Sequence, residues 1–204
     1  MSDMAKVLIA YNNEPGTVLR DFMESCSDEA KQICIDNQIN FESVSSPNFN
    51  EQTVIGSMTE CTLCVISAHG DVYGIYNEDD EDVLSTHTTN YVFNGKGLYS
   101  IVCLCAQHLL PQLASIGLKF FVGYDKEFTV RGDRLPFITC AMSGLRYFLS
   151  GDNAQDSCAK MLQIYDDQIA ELDKVNPLAA IDLAHDREAL VCFGDGSITF
   201  QDLK

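Results

Sequence analysis

Uninterrupted apolar runs stand at 6–11 (KVLIAY), 62–68 (TLCVISA), 98–105 (LYSIVCLC) and 118–125 (LKFFVGYD). None alternates apolar with polar positions, which is the pattern of strands covered on both faces. The segment 40–46 (NFESVSS) predicts a further short strand. Between the strands the period lengthens. Residues 14–34 carry apolar positions at Val18, Leu19, Phe22, Met23, Cys26, Ala30, Ile33 and Cys34, an amphipathic helix with Pro15 near its start. Residues 50–58 predict a short helix or turn, and 106–117 a helix closed by Gly117. Two more helices are expected at 136–151 and 153–175, the second capped by Asn153. The tail 179–200 predicts a short helix, a strand at 188–193, a Gly-Asp-Gly turn and a final strand. Residues 69–97 interrupt this order as a hairpin excursion, with the acidic run Glu78–Asp82 at its tip. Strands alternating with helices predict an α/β fold with a mainly parallel central sheet flanked by helices, a three-layer sandwich.

Composition narrows the picture. The chain has 204 residues and 46% apolar content, enough for a core without staples. With no linker rich in Pro, Gly or Ser, 1–204 is expected to form a single domain. A net charge of −17 argues against nucleic acid and against an anionic membrane surface, both of which need clustered cations. No apolar run nears the ~18 residues that span a bilayer. The first residues do not form a secretory leader, so a cytoplasmic location with reduced thiols is expected. Nine cysteines sit mostly inside apolar runs, where free cysteine packs as a small hydrophobe. Cys61 and Cys64 form a lone C-x-x-C with no second pair, and the four histidines lack ligand spacing, so no metal or other cofactor is expected.

One constellation carries chemistry. In parallel α/β sheets, reactive groups gather beyond the carboxyl ends of the strands. His69 follows one apolar run and Cys105 ends the next. If those strands are neighbours, an imidazole and a thiol meet at one edge, as a cysteine nucleophile requires. Gly70 adds a backbone able to present an N–H to an oxyanion.

The order VISAHGD, then a few dozen residues, then YSIVCLCAQ resembles the caspase-like cysteine peptidases: caspases, metacaspases, gingipains, separase and the bacterial CHAT domains. The likeness continues through LASIGLKFFVGYDKEF, GLRYFLSGDNAQDSCAKMLQIYDDQIAEL and AAIDLAHDREALVCFGDGSITF, and is nearest to the CHAT domains. It implies a cysteine endopeptidase cleaving a protein substrate through a thioester, without a cofactor. In that reading Cys105 is the nucleophile and His69 the general acid. The N–H groups of Gly70 and Cys105 form the oxyanion hole. Cys103, two residues before the nucleophile, floors the primary specificity pocket, and an acid for a basic substrate would come from Asp71 or Asp125. A second register places Gln107 at the nucleophile position, and the chain is then an inactive binding or regulatory module. The loop 125–136 lies where caspases keep their intersubunit linker, which makes Arg131 and Arg134 candidate self-cleavage points. The family also implies activation by a protein partner and, for its bacterial members, service in antiviral defence.

Overall fold

The computed structural model describes residues 6–87 and 91–204. The leader-free reading of residues 1–5 and the loop reading of 88–90 lie outside the described residues. Nine strands and six helices follow in the order β1 (Lys6–Tyr11), α1 (Arg20–Asp36), β2 (Asn40–Ser45), α2 (Glu51–Met58), β3 (Leu63–Ser67), β4 (His69–Gly70), β5 (Gly74–Tyr76), β6 (Asp82–Ser85), β7 (Gly97–Ile101), α3 (Leu109–Ser115), β8 (Phe120–Tyr124), α4 (Leu135–Leu149), α5 (Ala154–Asp173), α6 (Pro177–Ala189) and β9 (Leu190–Gly194) among the described residues. Six strands form one sheet in the order β2-β1-β3-β7-β8-β9, parallel except for β9, which pairs antiparallel with β8. Strands β4, β5 and β6 form a separate small antiparallel sheet.

The apolar runs explain the layering. Val7, Ile9, Leu63, Val65, Tyr99, Ile101, Phe120 and Val122 point to one face, where they bury against α1, α4, α5 and α6. Leu8, Ala10, Cys64, Ile66, Leu98 and Phe121 point to the other, against α2 and α3. Two cores separated by one sheet give the three-layer sandwich that uninterrupted apolar strands predict.

Several boundaries differ from expectation. Helix α1 starts at Arg20, because residues 14–19 are a turn in which Leu19 adopts a left-handed backbone (φ 62°). Strand β7 stops at Ile101, short of Cys105, and residues 103–108 turn before α3. The tail has no final strand: Phe200–Asp202 forms a 3-10 turn and the Lys204 amide donates to the Gly95 carbonyl. The acidic run does form a hairpin tip, closed by Asn77, whose Oδ1 accepts from the Asp79 and Glu81 amides. Asn153 caps α5 as expected, accepting from the Asp156 amide.

The cysteines are not all reduced. Cys158 on α5 and Cys192 on β9 form a disulfide, while Cys26, Cys34, Cys61, Cys64, Cys103, Cys105 and Cys140 are free. The pair is far apart in sequence and only the packing of α5 on β9 brings it together, so spacing gave no hint of it. The thiol argument for a cytoplasmic location therefore falls away. No helix among the described residues is long and apolar enough to cross a membrane.

Candidate active site

Strands β3 and β7 are hydrogen-bonded neighbours, with Ser67 opposite Ile101. His69 and Cys103 each stand two residues beyond that pair. Side chains alternate along a strand, so both inherit the face of Ser67 and Ile101. They line one cleft with Leu19, Phe22, Met23, Ala68, Ile101 and Phe128. Gly70 brings the two backbones together: a Cβ there would lie 2.3 Å from Val102 Cγ1, 2.6 Å from the Gly74 carbonyl and 3.6 Å from the Cys103 carbonyl oxygen. Only glycine permits this approach.

The imidazole is held by the backbone. His69 Nε2 lies 2.9 Å from the Val18 carbonyl oxygen. A carbonyl can only accept, so Nε2 carries the proton and Nδ1 is left to take or give one. The left-handed turn at Leu19 is the local distortion that accompanies this presentation of Val18. An imidazole that is to move a proton needs orientation by a third group, and here the group that orients His69 is main chain.

The thiol of Cys103 is partly exposed and accepts a hydrogen bond from the Phe128 amide at 3.3 Å. Burial raises its pKa above the ordinary value, with the Phe128 amide pulling the other way and Glu127 and Asp186 adding to the rise. Phe128 in turn stacks on Phe22, ring centroids 5.4 Å apart, which seats the loop after β8 over the cleft.

Cys105 does not reach this place. Leu104 has a left-handed backbone (φ 60°), and its amide donates to the Lys126 carbonyl while that of Ala106 donates to Tyr124. This turn breaks the strand alternation and drives Cys105 through to the opposite core. It is fully buried there, with Sγ 3.3 Å from Ser100 Oγ and 3.4 Å from the Val102 carbonyl. Burial pushes its pKa up to about 11. A buried thiol on the far face cannot meet His69, so the expectation for Cys105 is corrected. Cys103, expected to floor a specificity pocket, holds the position beside the imidazole instead.

The other expected residues are also placed differently. Asp71 Oδ1 accepts from the Tyr73 amide, the Gly74 amide and the Tyr76 hydroxyl, so its charge is engaged in the β4–β5 turn. Asp125 follows β8, donates its amide to the Ala189 carbonyl and does not line the cleft. The Gln107 side chain donates to the Asp125 carbonyl and is exposed, which removes the register that put it opposite His69. No group of three or more His, Cys, Asp or Glu residues suited to a metal occurs among the described residues.

No protein-family model and no curated protein matches the chain. Solved structures do. Gingipain R, an Arg-specific cysteine proteinase, superposes with a TM-score of 0.69 at 11% identity, over 98% of this chain and 48% of that one. A complex of the RgpB pro- and mature domains of Porphyromonas gingivalis superposes with a TM-score of 0.65 at 9% identity, over 100% of this chain and 50% of that one. The fold matches that of gingipain R, a mainly parallel central sheet flanked by helices. The chain spans about half the length of these gingipain chains. At such identity the likeness establishes the architecture alone, and the chemistry rests on the cleft.

Two participants escaped the sequence reading. Val18 contributes only a carbonyl, which no side-chain pattern marks. Phe128 contributes an amide and a ring, and a single aromatic residue in a loop carries no signal of either.

Proposed function

We propose that the chain is a cysteine endopeptidase in which Cys103 is the nucleophile and His69 exchanges the proton. The observation that carries this reading is the register: neighbouring parallel strands deliver an imidazole and a thiol to the same face, at the same height, in one cleft. His69 Nδ1 takes the thiol proton, and the sulfur attacks an amide carbonyl. The same nitrogen then protonates the leaving amine, giving a thioester that water hydrolyses. The Gly70 amide is suited to the oxyanion. Asp71 donates its amide to the Gly74 carbonyl, and antiparallel pairs alternate, so the Gly70 amide points away from β5. No step calls for a cofactor.

The cleft has only about 20 Å³ of open space, room for little more than one water. A peptide therefore requires Leu19 and Phe128 to withdraw, which favours a latent form opened by a protein partner or by cleavage. Arg131 and Arg134 lie exposed in the loop before α4, ion-paired with Asp182 and Asp21, and are the self-cleavage points on this reading. The nearness to CHAT domains, and with it a bacterial antiviral setting, rests on the sequence motifs alone. Hydrolysis of a mixed fluorogenic peptide set, after limited proteolysis of the 125–136 loop, tests the assignment: parent and Cys105→Ala protein turn over, while Cys103→Ala and His69→Ala do not. Turnover by Cys103→Ala would refute it.

A further inference from the structure

We propose that Asp186 is a positioning residue for Cys103, clamping Thr129 and so holding the adjoining Phe128 amide against the sulfur. The proposal rests on the reading of Cys103 as nucleophile. Asp186 sits on α6, fully buried. Its Oδ1 accepts from the Thr129 amide at 2.8 Å and from Thr129 Oγ1 at 3.1 Å. One residue earlier, the Phe128 amide donates to Cys103 Sγ. The chain of contacts therefore runs from α6 through two consecutive residues of the β8–α4 loop to the thiol.

A buried carboxyl is a costly way to fasten a loop. Its Oδ2 is buried with no hydrogen-bond partner among the described residues, and an amide side chain would accept the same two bonds without the penalty of a charge. The groups that face Asp186 are Asp182 on its own helix, Cys103 after β7, Tyr124 on β8, Cys140 on α4 and Tyr165 on α5. None of these is a cation. Burial raises the Asp186 pKa to about 8, so the carboxyl is neutral over the acidic and neutral range. Neutral, Asp186 holds the amide on sulfur without opposing a thiolate. Ionised, it keeps the clamp and adds a negative charge that disfavours a second one at Cys103.

Iodoacetamide alkylation of Cys103, followed peptide by peptide in the full chain as a function of pH, tests this without requiring turnover. At about pH 6.5 Asp186→Asn should alkylate like the parent, and at about pH 9 roughly three to ten times faster, the range that up to one unit of thiol pKa controls. Asp186→Ala, which frees Thr129 and the Phe128 amide, should alkylate more slowly than Asp186→Asn at both pH values. Superposition of the Asp186→Asn and parent profiles would overturn the proposal, as would identical profiles for Asp186→Ala and Asp186→Asn. If Asp186→Ala does not fold, the Asp186→Asn comparison decides alone. Failure of the peptidase assignment reads out separately, as absence of peptide hydrolysis with the alkylation contrast intact.

Discussion

His69 and Cys103 occupy equivalent positions just beyond two adjacent parallel strands, each two residues past the Ser67–Ile101 pair. The equivalence makes the meeting of imidazole and thiol a property of sheet register. A shift of one residue in either strand would send one side chain to the opposite core, and Cys105, beyond the left-handed turn at Leu104, shows where such a residue ends up.

Gly70→Ala tests how tightly the two backbones are coupled. The added methyl meets Val102 Cγ1 and the Gly74 carbonyl well inside contact distance. Overpacking of this kind costs about 1–3 kcal/mol. A fall of that size in urea denaturation is expected, together with loss of hydrolysis, since relief requires moving either His69 or the Cys103 turn.

Leu19→Pro should disengage the histidine. Proline is confined to φ near −65°, and this position needs φ 62°. The Val18 carbonyl then swings away from His69, and since a positioned acid–base group contributes about 100- to 10,000-fold, the rate should fall by up to that factor. Leu19→Gly accepts the left-handed backbone and should retain more of the rate, measured on the folded fraction of each protein.

Stability should fall as pH rises through the neutral range. Below about pH 4 Asp186 is protonated folded or unfolded, since its ordinary value is 3.8. Between there and about 8 the folded chain keeps the proton and the unfolded chain releases it. Each pH unit in that window then costs the folded state up to about 1.4 kcal/mol, and the slope ends once both forms are charged. Urea titrations at several pH values should show this slope in the parent and a flatter one in Asp186→Asn.

Reducing the Cys158–Cys192 bond, which links residues 34 apart, should lower stability by about 2–4 kcal/mol. Urea midpoints with and without dithiothreitol measure it. Hydrolysis should persist under mild reduction, because the cleft cysteine is free.

The layers were legible because uninterrupted apolar strands require cover on both faces, and His69 was legible because an apolar run ends on it. The thiol that shares the cleft with His69 lies two residues before the one expected, for a specific reason. Leu104 takes a left-handed backbone that nothing in C-L-C-A-Q announces, so the apolar run outlasts the strand, and the expectation followed the run. Val18 and the Phe128 amide act through main-chain atoms that carry no residue signature. The Asp186 clamp joins α6 to a loop 57 residues away in sequence, and one chain alone does not disclose such a contact.

The central claim is that the reactive thiol belongs to Cys103. Labelling with a peptidyl acyloxymethyl ketone, compared across parent, Cys103→Ala and Cys105→Ala, tests it most directly. The account predicts that Cys103→Ala takes up no probe while Cys105→Ala labels at close to the parent rate. Labelling that survives in Cys103→Ala and vanishes in a folded Cys105→Ala would contradict it.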